Sequence, residues 1–241
     1  MQSIIAIIPC YNEAARLDTT AFLKFTEEQD EIVLYFINDG STDATSETLK
    51  QMHDRSNGKI LFHELNTNAG KGEAIRKGIM LALEKNSAFI GYLDADLSTP
   101  LTEFKRLADL AIQKNADLVF GSRIKTVNTS IKRSLLRHYI GRVIATIIDA
   151  RFKFGIYDTQ CGAKVFKTAS VSKVVQSPFV TSWFFDVEIL HRLLEIQRSN
   201  WHEEPLLIWE NKSKSKLNIF SFPLVAKELT RLVFKNKPSC K

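Results

Sequence analysis

Five short apolar runs, at positions 4–8, 32–37, 59–63, 88–93 and 117–120, punctuate the first half of the chain. Between them lie stretches whose apolar residues recur every three or four positions, at 13–28, 44–55, 71–84 and 101–114. Unbroken apolar runs of this length read as strands covered on both faces, and the longer periodic stretches as the helices that cover them. Their alternation predicts an α/β fold with a Rossmann-like, mostly parallel sheet flanked by helices. Two helix starts carry local signals: "STDATSETL" sets Ser and Thr before one helix, and "STPLTEF" places Pro100 near the first turn of another.

After about position 122 the alternation stops. Residues 130–153 read as a long amphipathic helical segment, with Lys132, Arg133, Arg137, Arg142 and Arg151 set among Leu, Ile, Val and Tyr. A further helix is expected at 184–199, followed by a strand in "EPLLIWE", 204–210. No linker, repeat or low-complexity stretch interrupts the 241 residues, and 44% hydrophobic with 25% charged residues is the make-up of an ordinary globule. A single domain spanning 1–241 is therefore expected.

Charge narrows the partners only a little. A formal net charge of +6 suits nucleic acid, an anionic membrane surface or a polyphosphate substrate. The aromatic residues follow core periodicity and form no stacking stripe, so no nucleic-acid partner is expected. Cys10, Cys161 and Cys240 are far apart and odd in number, which points to neither a zinc site nor a disulfide framework and fits a reducing cytoplasm. The N-terminal apolar run is too short for a signal peptide or a spanning helix, so contact with a membrane is expected to be peripheral, at its inner face.

In an open α/β sheet ligands bind beyond the carboxyl ends of the strands. There the chain carries "PCYNE", "NDGSTD", "LNTNAGKGEA", "DADLS" and "GSR" in turn, a polar set converging on one rim. The first turn lacks GxGxxG, which disfavours a dinucleotide site. "NAGKGEA" lacks the first glycine of a P-loop and has Gly72 where Ser or Thr would hold magnesium. Asp94 and Asp96 are two apart, so on an extended chain both point to one face. Two carboxylates at a binding rim suit a hard divalent cation, Mg2+ or Mn2+, that keeps positions open for phosphate oxygens. The alternative is that Asp94 ends the strand and Asp96 caps the next helix.

The ordered set "IIPCYNEAARL", "FINDGSTDAT", "NAGKGEAIRKGI", "YLDADLSTP", "FGSR", "YDTQCGAKVF" and "WFFDVEIL" resembles the family 2 glycosyltransferases of GT-A fold. Within them it is most similar to the dolichyl-phosphate glucosyltransferases and polyprenyl-phosphate sugar synthases, with the mannose synthases as relatives. The resemblance runs from Ile4 to about Asn218 and implies a nucleotide-sugar-binding half over 1–122, an acceptor-binding half over 123–218 and a basic C-terminal segment over 219–241.

It implies an inverting transfer of a hexose from a UDP-glucose or GDP-mannose type donor to a lipid-linked phosphate. Pro9, Tyr11, Asn12, Glu13 and Asp39 then fall to the nucleoside, Lys71 to the base or diphosphate, and Asp94 and Asp96 to the metal. Arg123 and Arg137 fall to the acceptor phosphate, and Gln160 and Asp158 to the donor or its sugar. Ser98 departs from the Gln that mannose synthases often use as a further metal ligand. Asp186 lies roughly where relatives with hydroxyl acceptors carry a catalytic Asp, leaving a saccharide acceptor with Asp186 as base as the alternative. A phosphate acceptor is already ionised near neutral pH and needs positioning rather than a base.

Overall fold

The computed structural model describes residues 3–133, 135–196, 200–212 and 222–235. Its first half follows the predicted alternation: β1 (Ile4–Cys10), α1 (Thr19–Glu28), β2 (Ile32–Asn38), α2 (Thr45–Arg55), β3 (Ile60–Glu64), α3 (Lys71–Leu83), β4 (Phe89–Leu93), α4 (Leu101–Gln113) and β5 (Leu118–Ser122). The second half contributes β6 (Ser130–Lys132), α5 (Leu135–Phe152), β7 (Ala163–Lys167), α6 (Thr168–Val171), α7 (Phe185–Ile196), β8 (Trp201–Pro205), β9 (Ile208–Glu210) and α8 (Phe222–Lys235).

Seven strands form one sheet in the order β3-β2-β1-β4-β7-β5-β8, with β7 antiparallel to both of its neighbours and the remaining pairs parallel. Successive side chains of β1 enter opposite cores: Ile4, Ala6 and Ile8 pack with α1, α2 and α4 residues, whereas Ile5 and Ile7 pack with α3 and α7 residues. Burial on both faces explains why the strand reads as an unbroken apolar run. β6 and β9 pair separately, in parallel.

Four expectations change. The helix predicted from 13 begins at Thr19, because the N–H groups of Glu13 and Ala14 donate to Thr45 Oγ1 (2.9 and 3.1 Å) and the chain turns there. Asp18 is the cap, accepting from the Ala21 N–H at 3.0 Å. The helix predicted from 130 begins at Leu135, since Ser130–Lys132 pair with Ile208–Glu210 as strand, with Ile131 opposite Trp209. "EPLLIWE" is split between β8 in the large sheet and β9 in the small one. Finally, β7 inserts between β4 and β5, a strand for which the pattern Ala-Lys-Val-Phe-Lys gave no signal.

Among the described residues no helix is long and apolar enough to cross a membrane. The C-terminal helix α8 docks on the domain: Leu232 is fully buried and Leu229 packs against the core cluster that holds Ile5 and Ile7.

Candidate active site

The first two strand-end loops are knitted into one wall. Asn12 has φ +53°, its N–H donates to Ser41 Oγ at 2.9 Å, and its Oδ1 accepts from the Thr42 N–H at 2.9 Å. Pro9 lies in β1 beyond the last β1–β4 pair, Ile7 with Tyr92, and Tyr11 and Glu13 follow it, partly buried. Asp39, at the end of β2, is buried and accepts the N–H groups of Ala69 and Gly70, each at 2.8 Å. Burial pushes its carboxyl above the ordinary value even against those two bonds. The carboxylate thus fixes the loop that leads into Lys71 at the start of α3.

At the centre of the rim, β4 stops at Leu93 and the chain turns at once: the Leu97 N–H donates to Asp94 O at 3.2 Å, and Leu97 takes φ +51°. The extended geometry that would have put Asp94 and Asp96 on one face therefore ends before Asp96. Nor does Asp96 cap a helix: the N-cap of α4 is Pro100, and Asp96 Oδ1 accepts from the Ser98 N–H at 2.9 Å. The Lys71 ammonium stands 2.5 Å from Asp94 Oδ1. Burial pulls Lys71 down, but the charges of Asp94, Asp186 and Asp96 outweigh it and hold the ammonium above its usual value. Lys71 also lies 5.7 Å from the centre of the Phe185 ring.

Asp94 and Asp96 are the residues that could hold a divalent cation here. A cation already meets Asp94 in the form of Lys71, and among the described residues no cluster of three or more His, Cys, Asp or Glu forms a closed cage. The protein would supply Asp94 and Asp96, leaving the remaining coordination to phosphate oxygens and water, as Mg2+ and Mn2+ sites on diphosphates do. Ser98 adds nothing there: it is buried, and its Oγ accepts from the Lys212 N–H at 3.3 Å.

Asp94 has a neighbour that only a glycine permits. A Cβ built on Gly162, just before β7, would lie 2.1 Å from Asp94 Oδ2. Gly162→Ala should therefore expel the Asp94 carboxylate from its place and cost about 10²-fold in kcat/KM. The drop should appear in donor turnover while the melting temperature moves little, and an unchanged rate would show that Asp94 needs no fixed position.

Arg123, at the end of β5, is gripped by Asp158. Its backbone N–H, Nε and Nη2 all donate to that carboxylate, at 3.1, 2.6 and 2.8 Å, and its guanidinium lies 5.5 Å from the Trp209 ring centre. Burial opposes the charge of Asp158, yet the guanidinium overrides it and holds the carboxyl at about 2. The expected phosphate-binding arginine is thus oriented by the residue expected to touch donor or sugar. Gln160 follows on the same loop, its N–H donating to Asp158 Oδ1 at 3.3 Å. Arg137 falls within α5, but its side chain lies outside the described residues. Burial pushes the Cys161 thiol up to about 12, away from the range of an activated thiolate.

Sequence reasoning missed the network beneath this rim. Lys164, in the middle of β7, is completely buried; its Nζ donates to Asp186 Oδ1 at 2.6 Å and to Cys161 O at 2.7 Å. Tyr92 Oη donates to the same Asp186 oxygen. Asp186 is therefore buried and doubly engaged, the situation of a structural anion. A second missed feature is the loop before α7. The N–H groups of Val180 and Thr181 donate to Glu188 (2.8 and 2.7 Å), and those of Ser182 and Trp183 donate to Glu228 of α8 (3.3 and 2.7 Å). Two carboxylates, one on the helix that follows and one on α8, thus hold four successive amides, and Ser182 lies against Gly70, beside Lys71.

Known proteins resemble this chain over most of its length. Residues 5–175 match the model of "Glycosyl transferase family 2". A dolichyl-phosphate beta-glucosyltransferase of Dictyostelium discoideum is 31% identical over 95% of this chain and 73% of its own length. One of Saccharomyces cerevisiae is 33% identical over 88% of this chain and 68% of its own. Among solved structures, glucosyl-3-phosphoglycerate synthase from Mycobacterium tuberculosis with Mn2+, UDP and glucosyl-3-phosphoglycerate has a TM-score of 0.69 at 15% identity, covering 95% of this chain and 80% of that one. The same synthase with Mg2+ and UDP has a TM-score of 0.65. At this identity the solved structures speak to the fold.

Proposed function

The chain belongs to glycosyl transferase family 2 and is a glycosyltransferase, and from that premise we propose that it moves glucose from UDP-glucose to a dolichyl or polyprenyl phosphate. The observation that carries this reading is the likeness to dolichyl-phosphate beta-glucosyltransferases across nearly the whole chain, including the part after residue 122.

An oxygen of the lipid phosphate attacks the anomeric carbon from the face opposite UDP. The new C–O bond forms as the bond from that carbon to the diphosphate oxygen breaks, so an α-linked donor yields a β-linked product. Negative charge grows on the leaving diphosphate, and a divalent ion held by Asp94 and Asp96 would stabilise that charge when bound. Lys71 supplies a second positive charge beside Asp94. Arg123, fixed by Asp158, binds the acceptor phosphate, a group that guanidinium forks hold well. No side-chain base is required, and the burial of Asp186 disfavours the saccharide-acceptor alternative.

The acceptor reading also calls for contact with a membrane surface. Tyr139, Val143 and Ile147 recur every four residues on α5 and are 65%, 61% and 43% exposed, with Arg142 and Arg151 on the same helix. An exposed apolar stripe of this kind suits the interface of a bilayer.

The test is a panel of nucleotide sugars with Mg2+ or Mn2+ and a polyprenyl phosphate, the product being identified by mass. Glucosyl lipid made from UDP-glucose is the expected product; transfer to a saccharide hydroxyl instead would overturn the reading. Arg123→Ala should lower kcat/KM for the lipid roughly 10- to 150-fold, the loss of one charged hydrogen bond or so. UDP affinity should stay near wild type, and an equal loss for donor and acceptor would remove Arg123 from the acceptor site.

A further inference from the structure

The loop that closes the rim beside Lys71, residues 174–183, is anchored from two places. Its first part is held by the helix it leads into: Arg192 of α7 donates to Val174 O (2.8 Å), Ser177 O (2.7 Å) and Pro178 O (2.7 Å), and Glu188 accepts from the Val180 and Thr181 amides. Its last part, Ser182 and Trp183, is held from the far end of the chain. The Trp183 N–H donates to Glu228 Oε2 at 2.7 Å and the Ser182 N–H to Glu228 Oε1 at 3.3 Å, so one carboxylate of α8 spans two successive amides. Leu232, one turn further along α8, is fully buried and fixes the helix that carries Glu228.

The part held from α8 is the part that meets Lys71. A Cβ built on Gly70 would lie 2.7 Å from Ser182 Oγ, so Ser182 occupies the space where a side chain at 70 would stand. Gly70 is the N-cap of α3, at φ +91°, and its own N–H is bound by Asp39 at 2.8 Å. The turn that delivers Lys71 is therefore gripped by Asp39 and walled by Ser182. Trp183 leads directly into Phe184 and Phe185, and Phe185 lies against Gly72 with its ring centre 5.7 Å from the Lys71 ammonium. Ser182 and Trp183 are exposed, so slack in this part of the loop uncovers no core while it frees the wall beside Lys71.

We propose that Glu228 is a positioning residue for glucose transfer: through the amides of Ser182 and Trp183 it keeps the wall against Gly70 in place, and with it the Lys71 ammonium beside Asp94. The inference deepens the proposed function and rests on the reading that Lys71 meets the diphosphate of the donor. Glu228 itself touches no substrate. Its influence falls on the donor rather than the acceptor, since Arg123 is oriented by Asp158 and draws no described bond from this loop.

The test pairs UDP binding with hydrogen exchange in wild type, Glu228→Gln, Ser182→Ala and the double variant. Leu107→Ala, a buried position on the opposite face of the sheet, serves as a stability control. Glutamine has the shape of glutamate but can serve only one of the two amides. Glu228→Gln should therefore weaken UDP binding in Mn2+ roughly 10-fold and raise KM for UDP-glucose to match, with KM for a polyprenyl phosphate unchanged. Ser182→Ala takes the hydroxyl away from Gly70 without touching α8 and should weaken UDP binding as well. Because both changes act through one wall, the double variant should lose no more than about the larger single loss. Leu107→Ala should lower the melting temperature at least as far as Glu228→Gln does and leave UDP affinity alone.

Exchange of the Ala69 and Gly70 amides, followed without ligand, should quicken several-fold in Glu228→Gln and not in Leu107→Ala. UDP affinity at the wild-type level in either single variant, additive losses in the double variant, or an equal loss in Leu107→Ala would each overturn the inference. A wild-type protein that binds no UDP would overturn the donor reading instead. Exchange at 69 and 70 would then decide the inference alone: quickened in Glu228→Gln it stands, unchanged it falls.

Discussion

Asp96→Ala is expected to lower glucose transfer roughly 10²- to 10³-fold, the equivalent of several kcal/mol of charge stabilisation lost at the leaving diphosphate. Among the described residues Asp96 forms no ion pair, and its one described bond, to the Ser98 N–H, is local. Alanine there should leave the fold intact. Asp94→Ala should be at least as severe, because it also strips Lys71 of its closest counter-ion. Titration of UDP in Mn2+ and again in chelator separates the two roles. Wild type should lose most of its UDP affinity in chelator, whereas Asp96→Ala should bind weakly in both. Chelator-insensitive UDP binding by wild type would mean that the two carboxylates serve Lys71 and the loop rather than a metal.

The second large effect concerns stability. Removing one member of the buried Lys164–Asp186 pair leaves the other charge buried without compensation, which typically costs about 3–5 kcal/mol. For a domain of this size each kcal/mol shifts the melting temperature by roughly 2–4 °C, so Asp186→Ala or Lys164→Met should melt about 6–20 °C lower. The double variant Lys164→Met, Asp186→Leu should recover most of that loss, since a packed apolar pair needs no counter-charge. Additive losses in the double variant would show that the ions act independently. Asp186→Asn keeps the shape but not the charge; its activity per folded molecule should stay near wild type, which a base at this position would not allow.

The contrast between these two sites shows where sequence reading reaches. The rim was legible because its residues follow apolar runs directly: Asp39 after β2, Lys71 at the start of α3, Asp94 after β4 and Arg123 at the end of β5 each sit where chain order alone puts them. What the chain does between Asp94 and Asp96 was not, since a turn with Leu97 at positive φ carries no compositional signal. Strand β7 escaped because a lysine in mid-strand reads as a surface residue until its partner, 22 positions on, is known. Asp186 was legible as an unusual acid in an apolar helix, but its role depends on Lys164 and Tyr92. The contact of Gly162 with Asp94 joins residues 68 positions apart and is likewise a fact of packing. Arg123 and Asp158 were each singled out, and only the fold shows that one holds the other.

The loop beside Lys71 draws half of its amide partners from Glu188 and half from Glu228. Glu188 and Glu228 both lie past residue 175, where the family match ends, and Glu228 sits on the last described helix. The loop beside Lys71 therefore depends on residues outside the matched part of the chain. A lineage that keeps the donor motifs cannot let α8 drift freely, because loss of the carboxylate at 228 strands two amides next to Gly70.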